Sequence, residues 1–310
     1  MNFTRWLCLA LVLEASSVAG KASTLLYTFG GDSTGAPTSL NSMDPASAAS
    51  VTAVQTPVGD GSTGFNGGLV AANNLLYGIG NDSNGVATLY SFQTSGLGLA
   101  PVSSGFNNTG DAAGVVFQNG LTAVGSTFYA IGAGASSEAL YQIGAGSATQ
   151  VQVLDTLGGT YAGLAWDAAL GDFYAIIAGA SSGDFNGDYL VRFAPGGSVS
   201  VLADLTQLDG APTGTHLGGL ADAGSGILYD IYTNPATFTG ELERIDVNGG
   251  PSASTLYDSQ IPLAQNAGIA IPTAIPNVPE PATSMEIGAG LVMLGWTLRR
   301  AAVRGKRGKP

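Results

Sequence analysis

The chain has one cysteine and one histidine in 310 residues, Cys8 and His216. Cys8 lies inside an apolar run, Trp6 to Leu13, that follows the short basic start Met1 to Arg5 and precedes the small-residue stretch Ser16 to Ala22. That order is the pattern of a secretory signal peptide over residues 1–22, with cleavage after Ala19 or Ala22. Cys8 sits within the apolar core and not at its end, which argues against a lipoprotein. The mature protein is thus expected to carry no thiol, no disulfide and no cysteine metal site. A single histidine likewise excludes a histidine-rich metal centre and a Cys-His dyad within one chain. There is no Gly-x-x-x-x-Gly-Lys phosphate loop. His216, in Thr213-Gly-Thr-His-Leu-Gly218, reads as a loop residue hydrogen-bonded to its surroundings.

Positive charge is equally scarce. Only ten residues are Lys or Arg against 22 Asp or Glu, a net charge of -12. Between residues 23 and 281 only Arg192 and Arg244 are basic, while 20 of the acidic residues fall there, so the exported part is near -18. Such a surface repels nucleic acid and excludes it as a partner. No long stretch has helical periodicity. Short apolar or alternating runs, separated by Gly, Asn and Asp turns, indicate an all-β domain over residues 23–271.

Within that domain a hydrophobic-Tyr pair recurs at Leu26-Tyr27, Leu76-Tyr77, Phe128-Tyr129, Phe173-Tyr174 and Leu228-Tyr229, with tyrosines 50, 52, 45 and 55 residues apart. Each pair is followed by a Leu-x-x-hydrophobic strand: Leu40 to Met43, Leu89 to Phe92, Leu140 to Ile143, Leu190 to Phe193 and Leu242 to Ile245. Third strands come next at Val51 to Val54, Leu99 to Val102, Gln150 to Val153, Val199 to Leu202 and Ser254 to Tyr257. A Gly-Leu pair opens the following unit at Gly68, Gly120, Gly163 and Gly219. Four short strands every 45 to 55 residues is the spacing of a β-propeller blade. The reading is a five-bladed propeller with repeats near 24–67, 68–119, 120–162, 163–218 and 219–271. The first repeat lacks its opening strand, and Gly268-Ile-Ala-Ile271 is the expected replacement, closing the ring with mixed termini. A β-sandwich built from the same hairpins ranks second. The repeated tyrosines read as inter-blade packing in preference to sugar-stacking platforms.

No catalytic constellation is recognisable, so the chain reads as a non-enzyme. Asp155, Asp167, Asp204 and Asp230 are carboxylates that could serve a glycosidase, yet spacing selects no pair among them. No cofactor is required. For calcium, Asp184-Phe-Asn-Gly-Asp188 sets oxygen ligands at alternate positions and selects Asp184, Asn186 and Asp188, although the loop lacks a closing glutamate and a plain hairpin turn is the simpler reading.

The C-terminal end is different in kind. After a Pro-rich linker, 272–278, which should be extended, come Pro279, Glu280 and Pro281, an apolar stretch, and Arg299-Arg300 leading to a basic end with Arg304, Lys306, Arg307 and Lys309. Residues 282–298 would form a single hydrophobic helix of about 26 Å, short of a ~30 Å bilayer core, and Glu286 lies within it. In motif, order and position, segment 279–310 resembles the PEP-CTERM sorting tail of exported proteins in Gram-negative bacteria, with Val278-Pro-Glu-Pro-Ala-Thr283 as the naming motif. The resemblance implies an exosortase partner that recognises and cuts near Pro279, Glu280 and Pro281. It also implies a transient inner-membrane anchor through 282–298 stopped by Arg299 and Arg300, and delivery to the cell surface or extracellular matrix. The propeller would then be a binding or structural module, with extracellular polysaccharide as the natural partner; a secreted polysaccharide hydrolase or lyase on the same scaffold is the alternative.

Overall fold

The computed structural model describes residues 25–31, 37–45, 51–55, 64–81, 84, 86–117, 120–234, 239–262 and 268–272. They form twenty strands in five four-stranded antiparallel sheets, a five-bladed β-propeller. Blade one contains β1 (Leu26–Gly31), β2 (Pro37–Met43) and β3 (Val51–Gln55). Blade two is β4 (Gly64–Ala72), β5 (Leu75–Asn81), β6 (Ala87–Phe92) and β7 (Ala100–Ser104). Blade three follows as β8 (Leu121–Val124), β9 (Thr127–Ala133), β10 (Glu138–Ile143) and β11 (Ala148–Leu154). Blade four is β12 (Thr160–Asp167), β13 (Asp172–Ala180), β14 (Gly187–Phe193) and β15 (Ser200–Asp204), after which one short helix, α1 (Leu205–Asp209), leads towards blade five. Blade five holds β16 (Leu220–Gly224), β17 (Ile227–Asn234), β18 (Thr239–Asp246) and β19 (Ser252–Pro262). The last strand, β20 (Ile269–Ala270), pairs with β1 through Tyr27↔Ala270 and Thr28↔Ile269 and supplies blade one's innermost strand.

Position within a blade sets the residue pattern. Inner strands are covered on both faces by neighbouring blades, so β13 is a nearly continuous buried run, Phe173 to Ala178. Outer strands face water and alternate little: Val102, Val153 and Val201 on β7, β11 and β15 are all exposed. Apolar clusters fill the spaces between blades. One joins blades five, one and two around Leu26, Phe29, Leu76 and Ile231; the next two join blades two to three and three to four. The fourth, around Leu190, Leu205, Leu220, Leu228 and Ile245, joins blade four to blade five.

Glycine closes the centre. Gly68, Gly120, Gly163, Gly219 and Gly268 each immediately precede a leucine or isoleucine of an innermost strand, and all have positive φ, from +65° to +136°. A Cβ on Gly68 would lie 2.6 Å from Leu121 N, on Gly120 2.7 Å from Leu164 N, on Gly163 2.7 Å from Leu220 N, on Gly219 2.5 Å from Gly268 Cα, and on Gly268 2.3 Å from Leu69 N. Contact thus passes from blade to blade and returns to its start. Both the left-handed backbone and the close approach demand glycine at these positions.

The repeated tyrosines fill the spaces between blades. Tyr27, Tyr77 and Tyr174 are buried, and Tyr129 and Tyr229 pack partly buried against the cores. Tyr77 meets Phe128 of the next blade at 4.6 Å between ring centroids, and Tyr129 meets Phe173 at 5.4 Å. Pro279, Glu280, Pro281, Arg299, Arg300 and the signal segment lie outside the described residues. Among the described residues no helix is long and apolar enough to cross a membrane.

Candidate functional site

The exception to the apolar packing lies between blades four and five. Five acidic or imidazole side chains meet there, carried by five different elements of the chain. His216 comes from the loop before β16, Asp188 from β14, Asp209 from the last residue of α1, and Asp230 and Glu243 from adjacent positions of β17 and β18. The side chains of His216, Asp188, Asp230 and Glu243 are fully buried, and that of Asp209 nearly so.

Asp188 is the anchor. Its Oδ1 accepts from the Gly179 and Gly214 amides at 2.7 and 2.6 Å, and its Oδ2 from the Thr215 and His216 amides at 3.0 and 3.2 Å. The Asp188 amide itself donates to Thr206 Oγ1 of α1 at 2.9 Å. Oδ2 also meets His216 Nδ1 at 2.8 Å. Burial alone would raise this carboxyl; the His216 bond and the Gly179 and Gly214 amides outweigh it and bring the group down to about 2. One carboxylate therefore folds the 210–217 loop onto blade four and fixes the imidazole ring.

The other ring nitrogen looks into an acidic chamber. His216 Nε2 lies 2.8 Å from Asp209 Oδ2 and 3.8 Å from both Asp230 Oδ2 and Glu243 Oε2. Asp209, His216 and Glu243 each offer a ligand-type atom within 4.8 Å of the others. Asp230 and Glu243 form a cross-strand pair, and none of their four carboxylate oxygens has a hydrogen-bond partner. Burial, opposed by the field of His216 and aided by those of Glu243 and Asp209, pushes Asp230 up to about 8; burial likewise raises Glu243. Burial opposes charge on His216, but the bonds to Asp188 and Asp209 and the nearby Glu243 and Asp230 carboxyls raise it well above the ordinary imidazole value. At the rim, Tyr232 donates its hydroxyl proton to Glu241 and packs 5.3 Å from the His216 ring.

The same slot in the other blades contains no such group. The partner of the innermost-strand leucine or isoleucine is Thr28, Gly78, Ala130 or Ala175 in blades one to four, and Asp230 in blade five. One strand further out the partners are Asn41, Tyr90, Tyr141 and Val191, against Glu243. His216 stands three residues before its ring glycine, where blades two and three have the buried Phe65 and Phe117. Where the other blades place apolar or uncharged side chains, blade five places two acids and an imidazole.

Other sequence-selected residues have local duties. Asp155 Oδ1 accepts from the Leu157 amide, Asp167 Oδ1 from the Ala169 and Leu170 amides, and Asp204 caps α1 through the Gln207 amide. Of the calcium triad, Asp184 and Asn186 are exposed, while Asp188 is buried and directed at His216 and the backbone amides. The structure thus brings Asp188 to Asp230 and His216, and adds Asp209 and Glu243, which the sequence did not single out. At the opposite end of the same blade interface a cleft of ≈ 470 Å³ is lined by Asp167, Tyr174, Arg192 and Asn248 among others. Arg192 there pairs with Asp172 at 3.4 Å.

No protein-family model matches the chain, and no curated protein does. Solved structures similar to it include a nidogen/laminin complex, with TM-score 0.45 and 11% identity over 81% of this chain and 98% of that one. Another is an engineered GH43 glycoside hydrolase with endo-xylanase and exo-arabinofuranosidase activity, at TM-score 0.49 and 17% identity over 83% of this chain and 54% of that one. A prolyl endopeptidase matches at TM-score 0.37 and 12% identity over 81% and 34%. The chain spans about half of the hydrolase and a third of the peptidase. At these identities the likeness carries no statement about activity.

Proposed function

We propose that this chain is an exported surface or extracellular-matrix protein of a Gram-negative bacterium, sorted by an exosortase, whose propeller serves as a binding or structural module. The observation that carries the reading is the order Pro279-Glu280-Pro281, apolar stretch, Arg299-Arg300, placed after a ring that already closes at Ile269–Ala270. A tail of this composition has no counterpart in the acidic repeats before it. The module reading draws further support from the carboxylates. Asp155, Asp167 and Asp204 hold turns and a helix cap, and Asp230 is sealed between blades where no sugar reaches it. Of the four, Asp167 lines the cleft between blades four and five, and glycoside hydrolysis would need a second acid facing it across a substrate.

Intact mass of the protein recovered from exosortase-competent cells tests the sorting step. Loss of everything beyond about Pro281, blocked by Glu280→Ala, is the expected result. Recovery with residues 299–310 still attached would reduce the tail to a plain membrane anchor.

A further inference from the structure

We propose that His216, Asp209, Asp230 and Glu243 form a binding site for one first-row divalent cation, Zn²⁺ ahead of Mn²⁺, which fastens blade four to blade five. The proposal is independent of the sorting tail and rests on three observations.

The first is convergence. Nε2 of His216 faces Asp209 Oδ2 at 2.8 Å and the Asp230 and Glu243 oxygens at 3.8 Å. Ligands at the ~2.0–2.1 Å bond lengths of a tetrahedral zinc site stand roughly 3.3 Å from one another. The spacings from Nε2 bracket that separation, and ligand atoms of Asp209, His216 and Glu243 lie within 4.8 Å of one another; Asp230, 3.8 Å from Nε2, would complete the set by turning towards them.

The second is lack of any other partner. Four buried carboxylate oxygens, two on Asp230 and two on Glu243, have no hydrogen-bond donor. A sealed carboxylate without donor or cation is strongly disfavoured. The one basic group in the chamber is His216, whose Nε2 is engaged by Asp209 at 2.8 Å and stands 3.8 Å from Asp230 and Glu243; Arg192 and Arg244, the only arginines among the described residues, pair with Asp172 and Asp246. The described residues contain no lysine.

The third is the state of the imidazole. Metal-bound histidines donate their second ring N–H to a carboxylate or carbonyl, which orients the ring and selects the tautomer. Asp188 occupies that place, 2.8 Å from Nδ1 and itself held by four backbone amides. Nε2 then turns its N–H towards the three carboxylates, and a cation taking that place would displace this one proton, which leaves to solvent, and expose the nitrogen's lone pair as a ligand. One nitrogen and three oxygens, without sulfur, suit zinc or manganese; calcium takes six to eight oxygens and seldom imidazole. The ligands come from α1, its following loop, β17 and β18. The ion would tie the connection between blades to the blade it leads into, where blade three places Phe117, Ala130 and Tyr141.

The test uses the full chain, stripped with chelator and refolded with Zn²⁺, Mn²⁺ or Ca²⁺, with bound metal counted by mass spectrometry and melting followed by calorimetry. One zinc per chain is expected, together with a rise in Tm of roughly 5–10 °C at a hundredfold excess over Kd. Asp230→Asn and Glu243→Gln should each lose the bound zinc and the rise, while Asp184→Asn, at an exposed position, should keep both. Equal uptake by wild type and both chamber variants would assign the metal to the surface and overturn the site. So would a Tm indifferent to chelator. Should a variant fail to fold, Co²⁺ loaded into the wild-type chain decides the matter. The visible bands of four-coordinate cobalt are expected, and a spectrum of six-coordinate, water-ligated Co²⁺ sinks the proposal.

Discussion

At the scale of single residues, Asp188 shows how one buried charge can organise a loop. Four amides and an imidazole converge on its two oxygens, and this concentration of donors holds the carboxyl ionised against burial. Asparagine has the same shape but presents an NH2 group to one pair of those amides and removes the charge facing His216. Asp188→Asn is therefore expected to cost about 3 kcal/mol, a loss of roughly 6–12 °C in Tm for a domain of this size. Thermal unfolding checks it, and a change under 2 °C would mean that the loop is held by other contacts. This residue also shows what sequence could and could not reveal. Its alternation with Asp184 and Asn186 suggests a calcium turn, because spacing along a loop records which residues are near in the chain and not which way each one faces. Asp230 carried a better signal. The residue after each repeated tyrosine is Thr28, Gly78, Ala130, Ala175 and then Asp230, small in four blades and acidic in one. Glu243 and Asp209 had no such marker, since their role depends on strand register and on a five-residue helix.

Elements follow the repeat closely because each blade solves the same packing problem. Hydrophobic-Tyr pairs fall on β1, β5, β9, β13 and β17, and the Leu-x-x-hydrophobic runs on β2, β6, β10, β14 and β18. Those strands are buried on both faces, so their composition is tightly constrained. Outer strands, free on one side, were legible only as short runs: β7 starts at Ala100 and β19 extends to Pro262. Helix α1 escaped altogether. Its formation owes more to the Asp204 cap, the left-handed Gly210 at its end and the burial of Leu205 than to any periodicity five residues could display. The element with least tolerance is the glycine ring. Gly163→Ala would place a methyl 2.7 Å from Leu220 N and Cβ at φ +71°, where backbone strain adds to a clash with the next blade. A loss of roughly 2–4 kcal/mol is expected, against less than 1 kcal/mol for Gly196→Ala, which has positive φ and open space around it. Denaturant midpoints of the two variants separate close packing from strain. Equal losses would show that conformation alone is at stake.

The whole molecule depends on joining its two ends. Without β20, β1 becomes an unpaired inner edge, Gly219 and Gly68 lose the glycine between them, and Thr28 Oγ1 loses the Gly268 carbonyl that accepts from it at 2.7 Å. A chain ending at Pro272 should unfold at the same denaturant concentration as the full-length propeller. One ending at residue 267 should unfold earlier and associate through its open edge, as seen by size-exclusion chromatography. Identical midpoints would mean that the seam contributes nothing. Closure by mixed termini was legible in the sequence because the displaced strand kept its Gly-hydrophobic signature at Gly268-Ile269.

The brevity of that seam has a mechanical consequence. β20 is two residues long and meets β1 at only two positions, while the other inner-strand pairings run to four or more. A pull applied through the C-terminal end of the propeller reaches these two residues before any other strand. The ring would then yield first by unzipping its own latch, leaving blades two to five intact and able to snap shut when the load is released.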